Sequence, residues 1–348
     1  MAGIKHILVI RLSAMGDVAM TVPLLRALAL QYPEVKFTVL SRGFFKPFFD
    51  GSPNVGFYEA DVKGRHKGFG GLLKLYRELK KLDIDAVADL HNVLRSKTVT
   101  RLFAFSGIKT ATTDKARKEK KALTRSENKV FKQLTPIVER HAQTFVQLGF
   151  PIDIRVPVFP EKHQLTHDLL TVTGEKSVQW IGIAPFAQHE GKVYPQDLMQ
   201  EVINGLAKNK LYKLFLFGGG AKEIEVLNSF AKNISNVVVV AGKLKLQQEL
   251  QLISNLDVML SMDSGNAHMA AMQGVATVTL WGATHPYAGF APYHQPQENL
   301  LVSDREKYPL LPTSIYGNKK VEGYQDAMRT ITPETVINQI NHILKKDA

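Results

Sequence analysis

The stretch Asp263-Ser264-Gly265-Asn266-Ala267-His268 stands between an apolar run, Val258 to Met262, and a run of small residues, Met269 to Gly274. The order reads as strand, tight turn, helix, so the first N–H groups of the helix point past the carboxyl end of the strand, where an anion is favoured. Asp-Ser-Gly is also ordinary helix-capping chemistry, with Asp263 or Ser264 satisfying the first turn and nothing bound. The context favours a site. The helix is built of Ala and Met with almost no charge, which predicts burial, and Gly274 suits its C-terminal cap. A second apolar strand, Val275 to Trp281, and the loop Gly282-Ala283-Thr284-His285-Pro286 come next. A polar turn on a buried helix reads as the floor of a cleft.

The same alternation runs backwards through the chain. Strands are expected at 178–184, 213–217 and 237–241, helices at 196–206, 223–233 and 246–256, with Gly218-Gly219-Gly220 opening the second of these helices. Upstream, the β-branched run His6 to Leu12 reads as a buried strand. Ser13-Ala14-Met15-Gly16-Asp17 makes the turn, and Val18 to about Gln31 the helix. A strand at 36–41, an amphipathic helix at 72–82 and a strand at 86–90 ending in Asp89-Leu90-His91-Asn92 follow. Alternating strands and helices imply parallel sheets. We therefore expect an α/β protein with two doubly wound domains, residues 1–165 and 166–330, and a linker near 157–175. A terminal helix at 331–348, with one apolar stripe of Val336, Ile337, Ile340, Ile343 and Leu344, is expected to pack back on the first domain. Ligands of such sheets bind beyond the strands' carboxyl ends, so the Asp17 turn and the Asp263 turn are expected to meet across a cleft.

Composition bounds the function. At 348 residues, 45% hydrophobic and 22% charged, the chain reads as globular with two cores. It has no cysteine, which excludes disulfides, thiolate metal sites and a Cys nucleophile. Arg11 and Asp17 interrupt the N-terminal apolar run, so no signal peptide is expected, and no segment approaches the ~18 apolar residues of a membrane span. A cytoplasmic location is expected. The net charge of +12 is uneven: residues 1–165 hold 28 Lys and Arg against 15 Asp and Glu, and the remainder 16 against 17. Dense basic stretches at Lys63–Lys81 and Lys115–Lys132 read either as solvated faces or as mobile loops that clamp an acidic partner. They lack interleaved aromatics, which argues against nucleic acid. The Asp83-Ile84-Asp85 pair has metal-binding spacing but sits at a helix-to-strand junction where Asp is common. Gly218-Gly219-Gly220 has the wrong spacing for a dinucleotide fingerprint.

Four segments together are similar to glycosyltransferase family nine, the bacterial ADP-heptose:lipopolysaccharide heptosyltransferases: Arg11 to Val18 followed by Pro23, Lys192-Val193-Tyr194-Pro195, the Gly218–Glu223 turn, and Asp263 to Ala271. The similarity spans nearly the whole chain. It implies a GT-B architecture and an inverting, metal-independent transfer with no cofactor beyond the ADP-sugar donor. Asp17 matches the general base, although it also suits a helix cap. Lys192 matches a lysine that neutralises the departing diphosphate. Asp263, Ser264, Gly265, Asn266 and His268 match the donor turn, joined by Gly218, Gly219 and Glu223, the last at a ribose-contacting position. Ser13, Gly16, Lys63, Arg65, His91, Arg95, Arg117, Lys118, Lys120 and Lys121 would serve an acidic, phosphorylated glycolipid acceptor, with Asp89 in the same segment as His91. The implied partners are donor and glycolipid, with peripheral contact to the inner membrane surface, no nucleic acid, and a monomeric state. Two residues depart from the family pattern: bulky Phe186 stands in the loop before Lys192, and Tyr194 replaces a Trp. Competing readings are a transferase with another donor or acceptor, a basic anion- or membrane-binding module with a degenerate donor site, and a sugar-nucleotide epimerase or hydrolase.

Overall fold

The computed structural model describes residues 3–346. In chain order the first elements are β1 (His6–Ile10), α1 (Met15–Ala19), α2 (Val22–Gln31), β2 (Lys36–Ser41), β3 (Val55–Glu59), α3 (Gly68–Lys80), β4 (Ala86–Asp89), α4 (Leu94–Phe105) and β5 (Lys109–Thr112). Next come α5 (Arg117–Thr124), α6 (Ile137–Leu148), α7 (His167–Thr173), β6 (Gln179–Ala184), α8 (Gln196–Ala207), β7 (Tyr212–Leu216), α9 (Ala221–Ala231) and β8 (Val237–Val239). The chain finishes with α10 (Leu246–Ser254), β9 (Val258–Met262), α11 (Gly265–Ala271), β10 (Ala276–Trp281), β11 (Leu300–Val302) and α12 (Pro333–Lys346).

The residues form two compact units, 1–116 with 135–159, and 117–134 with 160–348. The first unit holds a parallel sheet in the order β3-β2-β1-β4-β5. Its inner strands β1, β2 and β4 are buried on both faces beyond Lys36, as their apolar runs require, whereas the edge strands β3 and β5 are partly exposed. One face packs Leu8, Ile10, Leu40 and Val87 against Leu72 and Leu75 of α3 and Val99 and Phe103 of α4. On α6, Phe145 sets its ring 6.3 Å from that of Phe37.

The second unit holds a parallel sheet in the order β11-β10-β9-β6-β7-β8. Its main cluster joins Ile181, Ile183, Leu214 and Leu260 to Val202, Ile203 and Leu206 of α8.

Several expectations change in detail. The helix expected from Val18 to Gln31 is two, because the chain turns at Met20 and Thr21, Thr21 Oγ1 donates to Val18 O, and Pro23 lies at the start of α2. Part of the expected linker is helical, as α7. The terminal helix lies on the second unit, not the first: Val336, Ile340 and Leu344 join the cluster that holds α8. Its stripe required an apolar surface, and α8 supplies one, with Gly205 leaving room for the Ile337 side chain.

The basic stretches are structured. Residues 117–124 form α5, and Leu123, fully buried, packs with Leu134, Ala288, Phe131 and Phe290 in the second unit. Lys129 donates to Leu123 O and Pro312 O, and burial, then the Arg305 charge, pulls it down to about 8. In the 61–67 turn the Asp61 carboxylate accepts from Gly64 N and Arg65 N. Behind it, buried His66 meets Glu78 Oε2 at 3.0 Å.

Candidate active site

Both sheets wind outward from a central strand pair, and the point where the winding reverses is where an open α/β sheet leaves a crevice at its carboxyl edge. In the first unit that pair is β1 and β4; in the second it is β6 and β9. The four segments leaving these strands carry Asp17, His91, Lys192 and Asp263.

In the first unit Arg11 ties the two exits together. Its guanidinium donates to Leu90 O at 2.7 Å and to Ser13 O at 3.0 Å, and its Nη2 meets Asp17 Oδ1 at 2.7 Å. The other Asp17 oxygen accepts from Ala14 N at 3.2 Å, across a turn that contains a cis peptide between Ser13 and Ala14. Asp17 is therefore not the N-cap of a helix starting at Val18, as the capping reading expected, but the third residue of α1, its carboxylate reaching back to the N–H of the N-cap residue Ala14. Its side chain is still 29% exposed, against 7% for Arg11, so the carboxylate is held in place and partly exposed. Ser13 and Gly16 are partly exposed beside it.

His91 is buried and accepts from Leu12 N at Nδ1. Burial, then the charges of Arg11 and Lys115, drives it down to about 3, so it is a neutral imidazole and no cation for an acceptor phosphate. Asp89 is fully buried and accepts from His91 N, Asn92 N and Ser96 Oγ. Burial raises its pKa, opposed by those hydrogen bonds. Both residues shape the turn after β4. Lys63, Arg65, Arg95, Arg117, Lys118 and Lys121 are exposed, whereas Lys120 is half-buried with Nζ 4.0 Å from the centre of the Phe290 ring. Lys63, Arg65 and Arg95 belong to the first unit, and the four from α5 to the second.

In the second unit Lys192 and Asp263 join the exits of β6 and β9 through an ion pair of 2.9 Å between side chains only 16% and 8% exposed. Thr284 Oγ1 donates to the same Asp263 oxygen at 2.8 Å. Ser264 is the N-cap of α11 by position but makes no side-chain cap; its hydroxyl instead pairs with Ser261 Oγ at 3.1 Å. The capping reading of Asp-Ser-Gly thus fails for both side chains. Ser264, Gly265 and Asn266 are partly exposed, and His268 is buried one turn on. Gly274, at φ +80°, closes the turn that follows α11.

A stack of glycines frames Lys192. Ala283 N donates to Gly191 O at 2.7 Å, a Cβ on Gly282 would strike Gly191 O, and a Cβ on Gly317 would strike the Lys192 stem. Across the turn after β7, Gly219 N donates to Glu223 Oε2 at 2.7 Å, and the Phe186 ring lies against Gly218. Phe186 is half-buried on the core, bordering the Gly218–Glu223 turn. Tyr194 is buried, with its hydroxyl donating to Ile331 O, so the Trp-to-Tyr departure concerns packing.

Arg11, Thr284 and Gly317 were not assigned roles from sequence. Arg11 stood inside the motif that carries Asp17, and Thr284 in the loop after β10, but nothing near Gly317 pointed to Lys192. Asp85 accepts from Lys5 N and His6 N, which gives the Asp83-Asp85 spacing a structural role. Among the described residues no three His, Asp or Glu side chains cluster as metal ligands, and no helix is long and apolar enough to cross a membrane.

The chain is similar to known proteins over almost its full length. It is 23% identical over 347 residues to the lipopolysaccharide core heptosyltransferase OpsX of Haemophilus influenzae, covering 97% of each chain. The glycosyl transferase family 9 structure from Veillonella parvula superimposes with a TM-score of 0.77 at 20% identity, covering 99% of each chain. The Escherichia coli heptosyltransferase WaaC, solved with ADP, superimposes with a TM-score of 0.66 at 19% identity over 97% of this chain and 99% of that one. These likenesses place the fold with the GT-B heptosyltransferases. Residues 72–319 match the family model for glycosyltransferase family 9 (heptosyltransferase), so the chain belongs to that family and is a glycosyltransferase.

Proposed function

We propose that the protein transfers a heptose-like sugar, with inversion and without a metal, from ADP-heptose to an acidic acceptor of the lipopolysaccharide core. Asp17 takes the proton of the attacking hydroxyl. A carboxylate is ionised at neutral pH, and a weak base suffices because the anomeric carbon becomes strongly electrophilic in an oxocarbenium-like transition state. Lys192 neutralises charge that builds on the departing diphosphate, with the N–H groups of Ser264 and Gly265 beside it. Gly218, Gly219, Glu223, Asn266 and His268 complete the donor side, with Glu223 facing the ribose.

The observation that carries this reading is the Asp17 carboxylate, pinned by Arg11 at the carboxyl edge of β1 and still 29% exposed. The relatives' names support the substrate classes: a lipopolysaccharide core heptosyltransferase in one case, an ADP complex in the other. For the acceptor side, Lys63 and Arg65 lie in the turn after β3 and Arg95 in the first turn of α4, which follow strands of the first sheet at its carboxyl edge. Exposed Phe44, Phe69 and Leu94 lie in the short 3-10 helix after β2 and at the starts of α3 and α4, which suits a monomer working at an anionic membrane surface.

The test is turnover of ADP-heptose on a lipopolysaccharide-core acceptor beside calorimetric titration with ADP. Asp17→Asn should lower kcat by about 10²–10⁴-fold with unchanged ADP affinity. Lys192→Ala should weaken ADP binding. Full turnover by Asp17→Asn removes it as the base, and failure of the wild-type protein to bind ADP removes the donor.

A further inference from the structure

We infer that the second unit carries a site for a phosphate monoester, built from Arg305 and Lys129, at the β10–β11 end of its sheet. The acceptor side proposed above rests on Lys63, Arg65 and Arg95 of the first unit, and the donor side on the turns after β6, β7 and β9. This site belongs to neither.

Two cations are fixed side by side. Arg305 follows β11 at its carboxyl end and lays its guanidinium on the Phe131 ring, with Cζ 3.4 Å from the ring centre, while Nε donates to Leu311 O at 2.9 Å. Lys129, two residues before Phe131, donates through Nζ to Pro312 O and to Leu123 O, each at 2.8 Å. Leu311 and Pro312 are consecutive, so the two head groups hang on neighbouring carbonyls. The Phe131 ring in turn stacks on Tyr287 at 4.8 Å and meets His285 edge-on at 5.0 Å.

These structural contacts leave most of the charge unspent. They take one of the five N–H groups of the guanidinium and two of the three ammonium protons. Both Nη atoms of Arg305 lack a hydrogen-bond partner among the described residues, and neither is enclosed: the side chain is partly exposed and no Nη atom is among the buried orphans. Among the described residues no carboxylate lies within 4.0 Å of either cation. Asp304, next to Arg305, spends Oδ1 on the N–H groups of Glu306 and Lys307. Burial, then the Arg305 charge, pulls Lys129 down to about 8 and His285 to about 4, and no acidic group opposes it at either. Like charges held together without a counterion repel, and an anion set against both relieves that repulsion.

The chemistry of the pair selects the ligand. The two Nη groups form a fork that matches two oxygens of a carboxylate or a phosphate, and the ammonium adds a second, point-like charge. A carboxylate, with one charge, is matched by the fork alone. A phosphate monoester carries nearly two charges and three acceptor oxygens, enough for the fork and the ammonium together.

The experiment is calorimetric titration of the full chain with inorganic phosphate, glucose 6-phosphate, a deacylated phosphorylated lipopolysaccharide-core oligosaccharide and, as the carboxylate control, acetate. A phosphate should bind with a Kd at or below the millimolar range and acetate about tenfold more weakly, and Arg305→Gln and Lys129→Met should each weaken the phosphate about tenfold. Preference for glucose 6-phosphate identifies a free sugar phosphate as the source, and preference for the oligosaccharide a phosphate on a glycan. Phosphate should also raise the Tm of the wild type and leave that of Arg305→Gln unchanged, a difference read on folded protein. ADP affinity should be the same in Arg305→Gln as in the wild type, so this site and the donor reading fail separately. No phosphate binding at millimolar concentration, binding that survives Arg305→Gln and is lost in Lys192→Ala, acetate binding as well as phosphate, or a parallel loss of ADP affinity in Arg305→Gln would each overturn the assignment.

Discussion

Asp263→Asn tests whether the ion pair in the second unit both holds the fold and competes with the donor. Asp263 and Lys192 are 8% and 16% exposed and 2.9 Å apart, and Thr284 donates to the same oxygen. Removing one partner of a buried pair costs about 3–5 kcal/mol, because the other charge is left unmatched. Asparagine keeps the shape and a neutral acceptor, and Lys192 keeps some contact with solvent, so the expected loss is about 2–3 kcal/mol. For a unit of this size that is a fall in Tm of roughly 4–12 °C.

The effect on the donor has the opposite sign. In the wild type the lysine's charge is cancelled by its neighbour, and a diphosphate must share it. In the variant it faces the diphosphate alone, so ADP should bind about tenfold tighter. Thermal unfolding with and without ADP, backed by calorimetry, reads both effects. A Tm within about 1 °C of the wild type would show that the pair adds nothing to stability. Weaker ADP binding by a folded variant would mean that Asp263 aims Lys192 rather than competing for it.

Other substitutions probe the remaining contacts. Gly317→Ala places a methyl against the Lys192 stem at a residue held at φ +77°, so it should lower ADP affinity and cost about 1 kcal/mol or more of stability; unchanged binding by calorimetry would refute the framing role. His91 titrates near 3 in the fold and near 6.5 when unfolded, so below about 6.5 the unfolded chain binds the extra proton. Its contribution is complete above that pH and is lost as the pH falls from 6.5 towards 3. The pH dependence of Tm over that range should therefore flatten in His91→Gln, and an unchanged slope would assign the acid sensitivity elsewhere.

Local pattern carried most of the fold. The strands 36–41 and 258–262 were legible to the residue, because each is an apolar or β-branched run closed by a turn. What escaped was long-range. The stripe on α12 announced that a surface existed without saying which one. The charge of residues 115–132 masked the few apolar side chains, Leu123 and Phe131, that anchor α5. In the site, the Asp263 turn was readable as strand, turn and helix. The reason Asp263 does not cap α11 was not, because its partners are Lys192 and a threonine 21 positions away. His91 looked like an acceptor ligand in the motif, and only burial beside Arg11 shows it to be a neutral part of the turn.

The placement of residues 117–134 also sets a timetable for biosynthesis. The segment leaves the ribosome after all five strands of the first sheet, yet the side chains that cover Leu123 and Phe131 include Tyr287, Phe290 and Ile315. At ordinary elongation rates the gap is on the order of ten to forty seconds. During it a nascent apolar patch has no cover of its own. The lysines and arginines around it, Arg117, Lys118, Lys120, Lys121, Arg125, Lys129 and Lys132, are then gatekeepers against aggregation, before they can serve any substrate.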